Sequence, residues 1–371
     1  MAVRTVNIIG GGIIGLAVAW QLARRGIIVR VFERELAGQG TSFVAAGMLS
    51  ADAEMGFEEK ELYRTSRESL KRWPAFAQLL ELESGVNVGY CDQGTLVVAD
   101  DRDNEEALRR MFEFQLSEGA DVSWLTGDEA RDLEPFLAPG ITGAVFAGDD
   151  HLVDNRAVLR ALVAAFQGAG GQLIEMSTVT DVKPDARRPR IVLSDGSEFD
   201  ADVVVVAAGA WSNQIEGLEK GQKPKVRPVK GQIIELRKEA TFDLKYVIRG
   251  PNAYLVPHLD GRIMVGATSE EVGYDTQVTA GGTYKILEGA WEIVPGIYDL
   301  PLTQIHAGIR PGTRDNHPII GFSDAPGVYF ATGHFRHGIL HSAHSSEDIA
   351  MEICESVESE WFSKFRPCRF A

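Results

Sequence analysis

The chain has 371 residues, of which 44% are hydrophobic and 24% charged, and a formal net charge of −16. That length exceeds a usual single core and points to about two domains, and no apolar run approaches the length of a membrane span. The acidic balance excludes the basic footprint of a nucleic-acid partner, while three scattered cysteines, Cys91, Cys354 and Cys368, exclude a disulfide framework and lead us to expect a cytoplasmic protein.

Residues 3–33, VRTVNIIGGGIIGLAVAWQLARRGIIVRVFE, read as strand, glycine turn, helix and strand. The glycine cluster and the polar-faced helix distinguish this stretch from the unbroken apolar core of a secretory signal. A Gly/Ser/Ala-rich loop, residues 37–50, leads into a helical region expected to break at Trp73 and Pro74. Short strands and a charged helix near residues 104–115 come next. Asp154 then reads as the N-cap of a helix with Leu159, Leu162, Val163 and Phe166 on one face. In DVVVVAAGAW, residues 202–211, four consecutive valines suit a parallel strand buried on both faces. From 225 to 310 the alternation in QIIELR, AYLVPH and RIMVGAT predicts an antiparallel sheet, with one helix around 279–291. A buried strand, VYFAT, and a terminal helix close the chain. The order implies an α/β fold (α+β overall) in which one domain is discontinuous, residues 1–84, 146–214 and 306–371. A second, mainly antiparallel-sheet domain is inserted as residues 85–145 and 215–305.

Gly10, Gly12 and Gly15 form G-x-G-x-x-G directly after the first strand, and Glu33 closes the second strand 18 residues after Gly15. Gly10 permits the tight turn, Gly12 lets a pyrophosphate approach the backbone, and Gly15 lets helix pack on strand. The first N–H groups of the helix, at Ile13 and Ile14, then face an anion. Glu33, with Arg34 beside it, is placed to meet the ribose hydroxyls. The fingerprint indicates a dinucleotide and leaves FAD and NAD open.

Four stretches extend this reading: IIGGGIIGLAVAWQLARRG, GTSFVAAGML, AGIRPGTRDNHPIIG and ATGHFRHGIL. Together they resemble the D-amino-acid oxidase-like family of FAD-dependent oxidoreductases, and within it the glycine oxidase branch of thiamine biosynthesis. The resemblance implies FAD in a Rossmann-like FAD-binding domain, with an inserted antiparallel-sheet substrate domain. Thr41, Ser42, Ala45, Ala46, Gly47 and Met48 are then expected to line the pyrophosphate and isoalloxazine, Val179 to reach the adenine through its backbone, and Gly209 and His334 to lie near the cofactor. Backbone N–H groups of His337, Gly338, Ile339 and Leu340 are expected to stabilise negative charge on the reduced flavin.

By the same resemblance, Arg310 binds the substrate carboxylate through its planar fork, Tyr254 supports it, and Arg336 assists at the pocket mouth. An arginine paired with an internal acid is the alternative for Arg310. Ser269 stands where some relatives carry a larger apolar residue. The implied reaction is oxidative deamination of glycine, sarcosine or small D-amino acids by hydride transfer to flavin N5. No protein base is required at Cα, O2 reoxidises the flavin to give H2O2, and the imine feeds thiazole synthesis. A homotetramer is implied, and neither a nucleic-acid nor a membrane partner is expected. Two other readings change the partner: a dehydrogenase using an acceptor other than oxygen, and the flavin domain of a tRNA-modifying enzyme, which the acidic charge disfavours.

Residues 334–344 hold four of the eight histidines. On a helix starting near Gly338, an apolar stripe runs through Ile339, Ala343, Ala350, Ile353 and Val357. His337, His341, His344, Asp348 and Glu355 fall opposite and are expected to form a solvated polar face. Without accompanying cysteines no metal is expected there. His306, four residues before Arg310, reads as a structural histidine.

Overall fold

The structure, a computed structural model, describes residues 3–370. Its organising layer is a six-stranded sheet in the order Ile319–Phe322, Val328–Thr332, Val203–Val206, Thr5–Ile9, Ile28–Phe32 and Gln172–Ile174. Every neighbouring pair is parallel except the first, an antiparallel edge. The four valines explain why such a strand reads as an unbroken apolar run. Val203 and Val205 face a core built with the helices Ile13–Arg24, Lys60–Ser84, Asn155–Gly168 and Gly338–Glu355. Val204 and Val206 face a second core, closed by a three-stranded sheet of Val179–Lys183, Arg190–Leu193 and Glu198–Asp200. Asp154 caps its helix by accepting from the N–H groups of Arg156 and Ala157 at 2.9 and 3.1 Å.

The second sheet has eight strands, ordered Leu302–Gly312, Arg227–Arg237, Arg262–Gly266, Tyr254–Pro257, Val247–Arg249, Thr95–Ala99, Gly143–Ala147 and Val122–Thr126. All its pairings are antiparallel but one, Val247–Arg249 with Thr95–Ala99. The helix Ala280–Ile293 packs on one face. Two boundaries drawn from the sequence, after residues 145 and 305, fall inside strands of this sheet: Gly143–Ala147 and Leu302–Gly312 each hydrogen-bond along their full length to neighbours within it. The extreme ends of the expected outer segments, residues 1, 2 and 371, lie outside the described residues.

Two local expectations are corrected. Lys60–Ser84 is one uninterrupted helix with Pro74 inside it. An interior proline costs roughly 3 kcal/mol, but each large buried side chain returns about 1.5–3 kcal/mol. Leu70, Trp73, Phe76, Ala77 and Leu80 are all buried on this face, and Trp73 Nε1 donates to the Leu340 carbonyl at 2.7 Å.

The histidine stripe is not solvated. His341, His344 and Asp348 are 1%, 0% and 3% exposed, because the helix Gly338–Glu355 is packed between Ile13–Arg24, Lys60–Ser84 and the turn Glu360–Phe362. His341 and His344 each find a partner through Nε2, while their Nδ1 atoms are buried without a hydrogen-bond partner among the described residues. His341 Nε2 lies 2.9 Å from Ser66 Oγ, and His344 Nε2 lies 3.1 Å from Asp348 Oδ2, which Arg72 also flanks. Val357, expected in the apolar stripe, lies past the helix end and is exposed. Among the described residues, no cluster of three or more His, Cys, Asp or Glu side chains is arranged to hold a metal, and no helix is long and apolar enough to cross a membrane.

Candidate cofactor and substrate site

A cavity of about 800 Å³ opens at the carboxyl ends of the parallel strands and runs to the second sheet. Its first wall is the glycine turn. Gly10 has φ +107°, and a Cβ there would sit 2.5 Å from the Ala207 carbonyl oxygen. The N-cap residue Gly12 has no side chain to cap the helix Ile13–Arg24, and of its first N–H groups only that of Ile13 is taken by a side chain, Ser42 Oγ; Ile13 and Ile14 border the cavity. Gly15 does not line the cavity; its missing Cβ instead lets the helix rest on the Gly10 carbonyl oxygen, 2.0 Å from where that atom would lie. Glu33 accepts from the Gly11 N–H at 2.7 Å and, with Arg34, borders the same end. The Arg34 guanidinium lies over the Trp211 ring, 3.9 Å from its centroid. Val179 and Gly209 complete this end.

The middle wall is the one-turn helix Thr41–Val44 with the strand that follows. Ser42 Oγ accepts from the Ile13 N–H at 3.1 Å, and Thr41 Oγ1 donates to the Ile309 carbonyl at 2.8 Å, so this turn links the nucleotide end to the strand carrying Arg310. Ala45, Ala46, Gly47 and Met48 continue the wall. His258 Nε2 lies 3.0 Å from the Ala46 carbonyl oxygen and fixes that loop from behind.

At the far end, the guanidinium of Arg310 lies flat against Gly231, where a Cβ would come within 2.5 Å of Cζ. Its Nη1 donates to the Thr268 carbonyl at 3.1 Å, and it forms no ion pair with an acid among the described residues. Tyr254 crosses Gly266, its partner in strand register, and a Cβ on that glycine would fall 2.3 Å from the hydroxyl. Burial pushes the Tyr254 hydroxyl above its ordinary range, with Arg310 pulling the other way. These two glycines were not singled out in the sequence, because their purpose is visible only across the strands. Ser269 also borders this end.

His334, Arg336, His337, Gly338, Ile339 and Leu340 line the remaining wall. The helix Gly338–Glu355 starts here without a side-chain cap, and its first turn is anchored at the Leu340 carbonyl by Ser69 Oγ at 2.6 Å as well as by Trp73. Burial holds His334 down at about 3 and His337 at about 4, with His337 and Arg336 respectively adding to the effect, so both rings are neutral. His306 is not in this wall: it packs edge-on against Phe43, 3.4 Å from Arg156.

Arg336 borders the cavity, where it was expected. Its guanidinium is already engaged by Glu59 and by Glu54 Oε2, the latter at 3.2 Å from Nε. Glu54 also accepts from Arg249, another cavity residue that the sequence reading missed. Burial works against charge on Glu54, yet Arg249, then His337 and Arg336, hold its carboxyl at about 2.

The residues present fit a flavin dinucleotide. The turn supplies a helix start whose N-cap is a bare glycine, the second strand leads into the carboxylate of Glu33, and one continuous space joins them to a second helix start without a side-chain cap and to the guanidinium of Arg310.

Comparison with known proteins agrees. Residues 5–351 match the family model described as "FAD dependent oxidoreductase". A glycine oxidase of Geobacillus kaustophilus is 34% identical over 339 residues, 91% of this chain and 89% of that one. The bifunctional protein ThiO/ThiG of Trichormus variabilis is 33% identical over 373 residues, 99% of this chain and 55% of that protein. The crystal structure of the glycine oxidase from Geobacillus kaustophilus superposes with a TM-score of 0.92 at 32% identity, covering 98% of both chains.

Proposed function

The chain belongs to the family of FAD dependent oxidoreductases and uses FAD, and on that premise we propose that it oxidises the Cα–N bond of glycine and other small amino acids, releasing an imine that hydrolyses to the 2-oxo acid and ammonia. The observation that carries this reading is Arg310: a guanidinium bordering the cavity, backed by a glycine and with no acidic partner among the described residues. Such a fork binds a carboxylate through two parallel charge-assisted hydrogen bonds and so fixes the orientation of Cα.

The turn from Gly10 to Ile14, with Ser42 and Thr41, would hold the pyrophosphate; Glu33 would take the ribose; and the wall from Ala45 to Met48 together with the turn from His337 to Leu340 would receive the ring. When bound, FAD accepts the two electrons and the hydrogen that leave Cα and passes them to O2, giving hydrogen peroxide. Tyr254 adds a neutral donor to the carboxylate clamp. With His334 and His337 neutral and the His337 N–H donating to the His334 carbonyl, the N–H groups of Gly338, Ile339 and Leu340 would be the stabilisers of negative charge at that wall. No side chain is needed as a base at Cα, because an unprotonated amine supplies the electron push.

Similarity to glycine oxidases and to a protein named ThiO/ThiG supports a role in supplying imine for thiazole synthesis. Three unpaired cysteines support a cytoplasmic location, and a homotetramer is part of the same reading. The test is a substrate panel on the purified holoenzyme: glycine bleaches the bound flavin without oxygen and yields peroxide with it. A flavin that glycine leaves oxidised overturns the proposal.

A further inference from the structure

Three guanidinium groups border the substrate end, those of Arg249, Arg310 and Arg336, and their surroundings differ. Arg310 donates to a neutral carbonyl. Arg249 and Arg336 meet on one carboxylate, with Glu54 Oε1 accepting from Arg249 Nη1 while Oε2 lies 3.2 Å from Arg336 Nε. Glu59 engages Arg336 Nη2 and is itself held by Asn316 Nδ2 at 2.9 Å.

The parts come from separate elements. Arg249 ends a strand of the eight-stranded sheet, Arg336 follows the strand Val328–Thr332 of the six-stranded sheet, and Glu54 lies on the segment after Met48–Leu49. That segment is fixed in place, because the carboxylate of Asp150 accepts from the N–H groups of Ala51, Asp52 and Ala53 at 2.9, 3.0 and 3.2 Å. Glu54 therefore arrives between two cations as a positioned anion.

Resting on the function read above, we propose that Glu54 is a specificity-determining residue: by occupying Arg249 and Arg336 it leaves Arg310, of these three arginines, as the one open to a substrate carboxylate. Cations released in a space partly shielded from water would offer a monocarboxylate a second, misoriented docking place. They would also let a dicarboxylate bridge the site. With Glu54 and Glu59 anionic, a second substrate carboxylate meets like charge and is rejected, which is discrimination by repulsion as much as by attraction.

The test titrates the holoenzyme with acetate and with malonate, followed by the perturbation of flavin absorbance. Glu54→Gln keeps the shape and removes the charge, and it should tighten malonate relative to acetate by about tenfold. Adding Arg249→Met to Glu54→Gln should return most of that gain. Glu59→Gln, which removes the acid on Arg336 Nη2 while Glu54 still holds Nε, should give a smaller gain of the same sign and serves if Glu54→Gln fails to retain FAD. An unchanged malonate-to-acetate ratio in both single variants overturns the role of Glu54. Arg310→Leu separates this from failure of the functional reading. If acetate binding does not depend on Arg310, the clamp itself is wrong; if it does and the ratio still stays fixed, only the inference about Glu54 falls.

Discussion

The guanidinium of Arg310 lies against the bare Cα of Gly231, so closely that a Cβ on that residue would overlap Cζ at 2.5 Å. The position of the clamp is thus set by a glycine on the neighbouring strand, two residues along from Val229, which pairs directly with Arg310.

Arg310→Leu should raise KM for glycine by about 100-fold, the cost of losing a charge-assisted bidentate contact, with FAD still bound. Gly231→Ala should raise KM as well, since the guanidinium must shift. Steady-state kinetics on both variants, with flavin content measured alongside, checks this, and unchanged KM values in flavin-loaded protein would exclude the clamp.

Tyr254→Phe removes a hydroxyl while keeping the ring over Gly266. A neutral hydrogen bond is worth about 1 kcal/mol, so KM should rise about fivefold. Unfolding midpoints should stay close to those of the parent protein. A large loss of stability instead would make Tyr254 a packing residue.

Two glycines of the turn should respond unequally. Gly10→Ala faces both a positive φ and a collision with the Ala207 carbonyl oxygen, whereas a methyl on Gly12 would meet only Ser42 Oγ at 3.4 Å. Equilibrium dialysis with FAD should therefore find no measurable binding for Gly10→Ala and a weakened Kd for Gly12→Ala. Equal losses would contradict the geometry.

Stability should fall steeply in mild acid. Burial holds His258 and His337 at about 4, His334 at about 3, and His341 well below its ordinary value of 6.5. These rings are neutral when folded and protonate below about pH 6.5 when unfolded, so unfolding takes up protons there and stability is lost as pH falls. Asp150 opposes this: burial and the charge of Asp52 push its carboxyl up to about 7, so the folded chain keeps a proton that the unfolded chain releases above about pH 4. These five groups alone should give a net uptake of roughly two to three protons near pH 5.5, to which His151, His306 and His317, also lowered by burial, add and Asp52 and Glu134, raised by burial, subtract. The slope of unfolding free energy against pH, from urea titrations at saturating FAD, measures it, and His341→Asn should lower it by about one. A flat profile would mean that the imidazoles are charged in the native state.

Local chemistry explains why the nucleotide end was readable. The turn at Gly10, the glycine N-cap at Gly12 and the carboxylate of Glu33 are short-range requirements, and each leaves a residue type at a fixed spacing. Helix interiors were less transparent. Neither the continuity of Lys60–Ser84 through Pro74 nor the burial of His341 and His344 follows from periodicity, because each depends on what the neighbouring helix places opposite: Trp73 on the Leu340 carbonyl, Ser66 on His341.

By itself, then, the sequence determined the dinucleotide cradle, the alternation of buried parallel and antiparallel strands, and the presence of arginines suited to a carboxylate. Only the tertiary structure decided which arginine is available. Glu54 meets Arg249 from 195 residues away, and Arg336 from 282. Charge compensation acts through space over a few ångströms, so whether a guanidinium is neutralised or open is a property of the folded neighbourhood and leaves no mark on the adjacent residues of the chain.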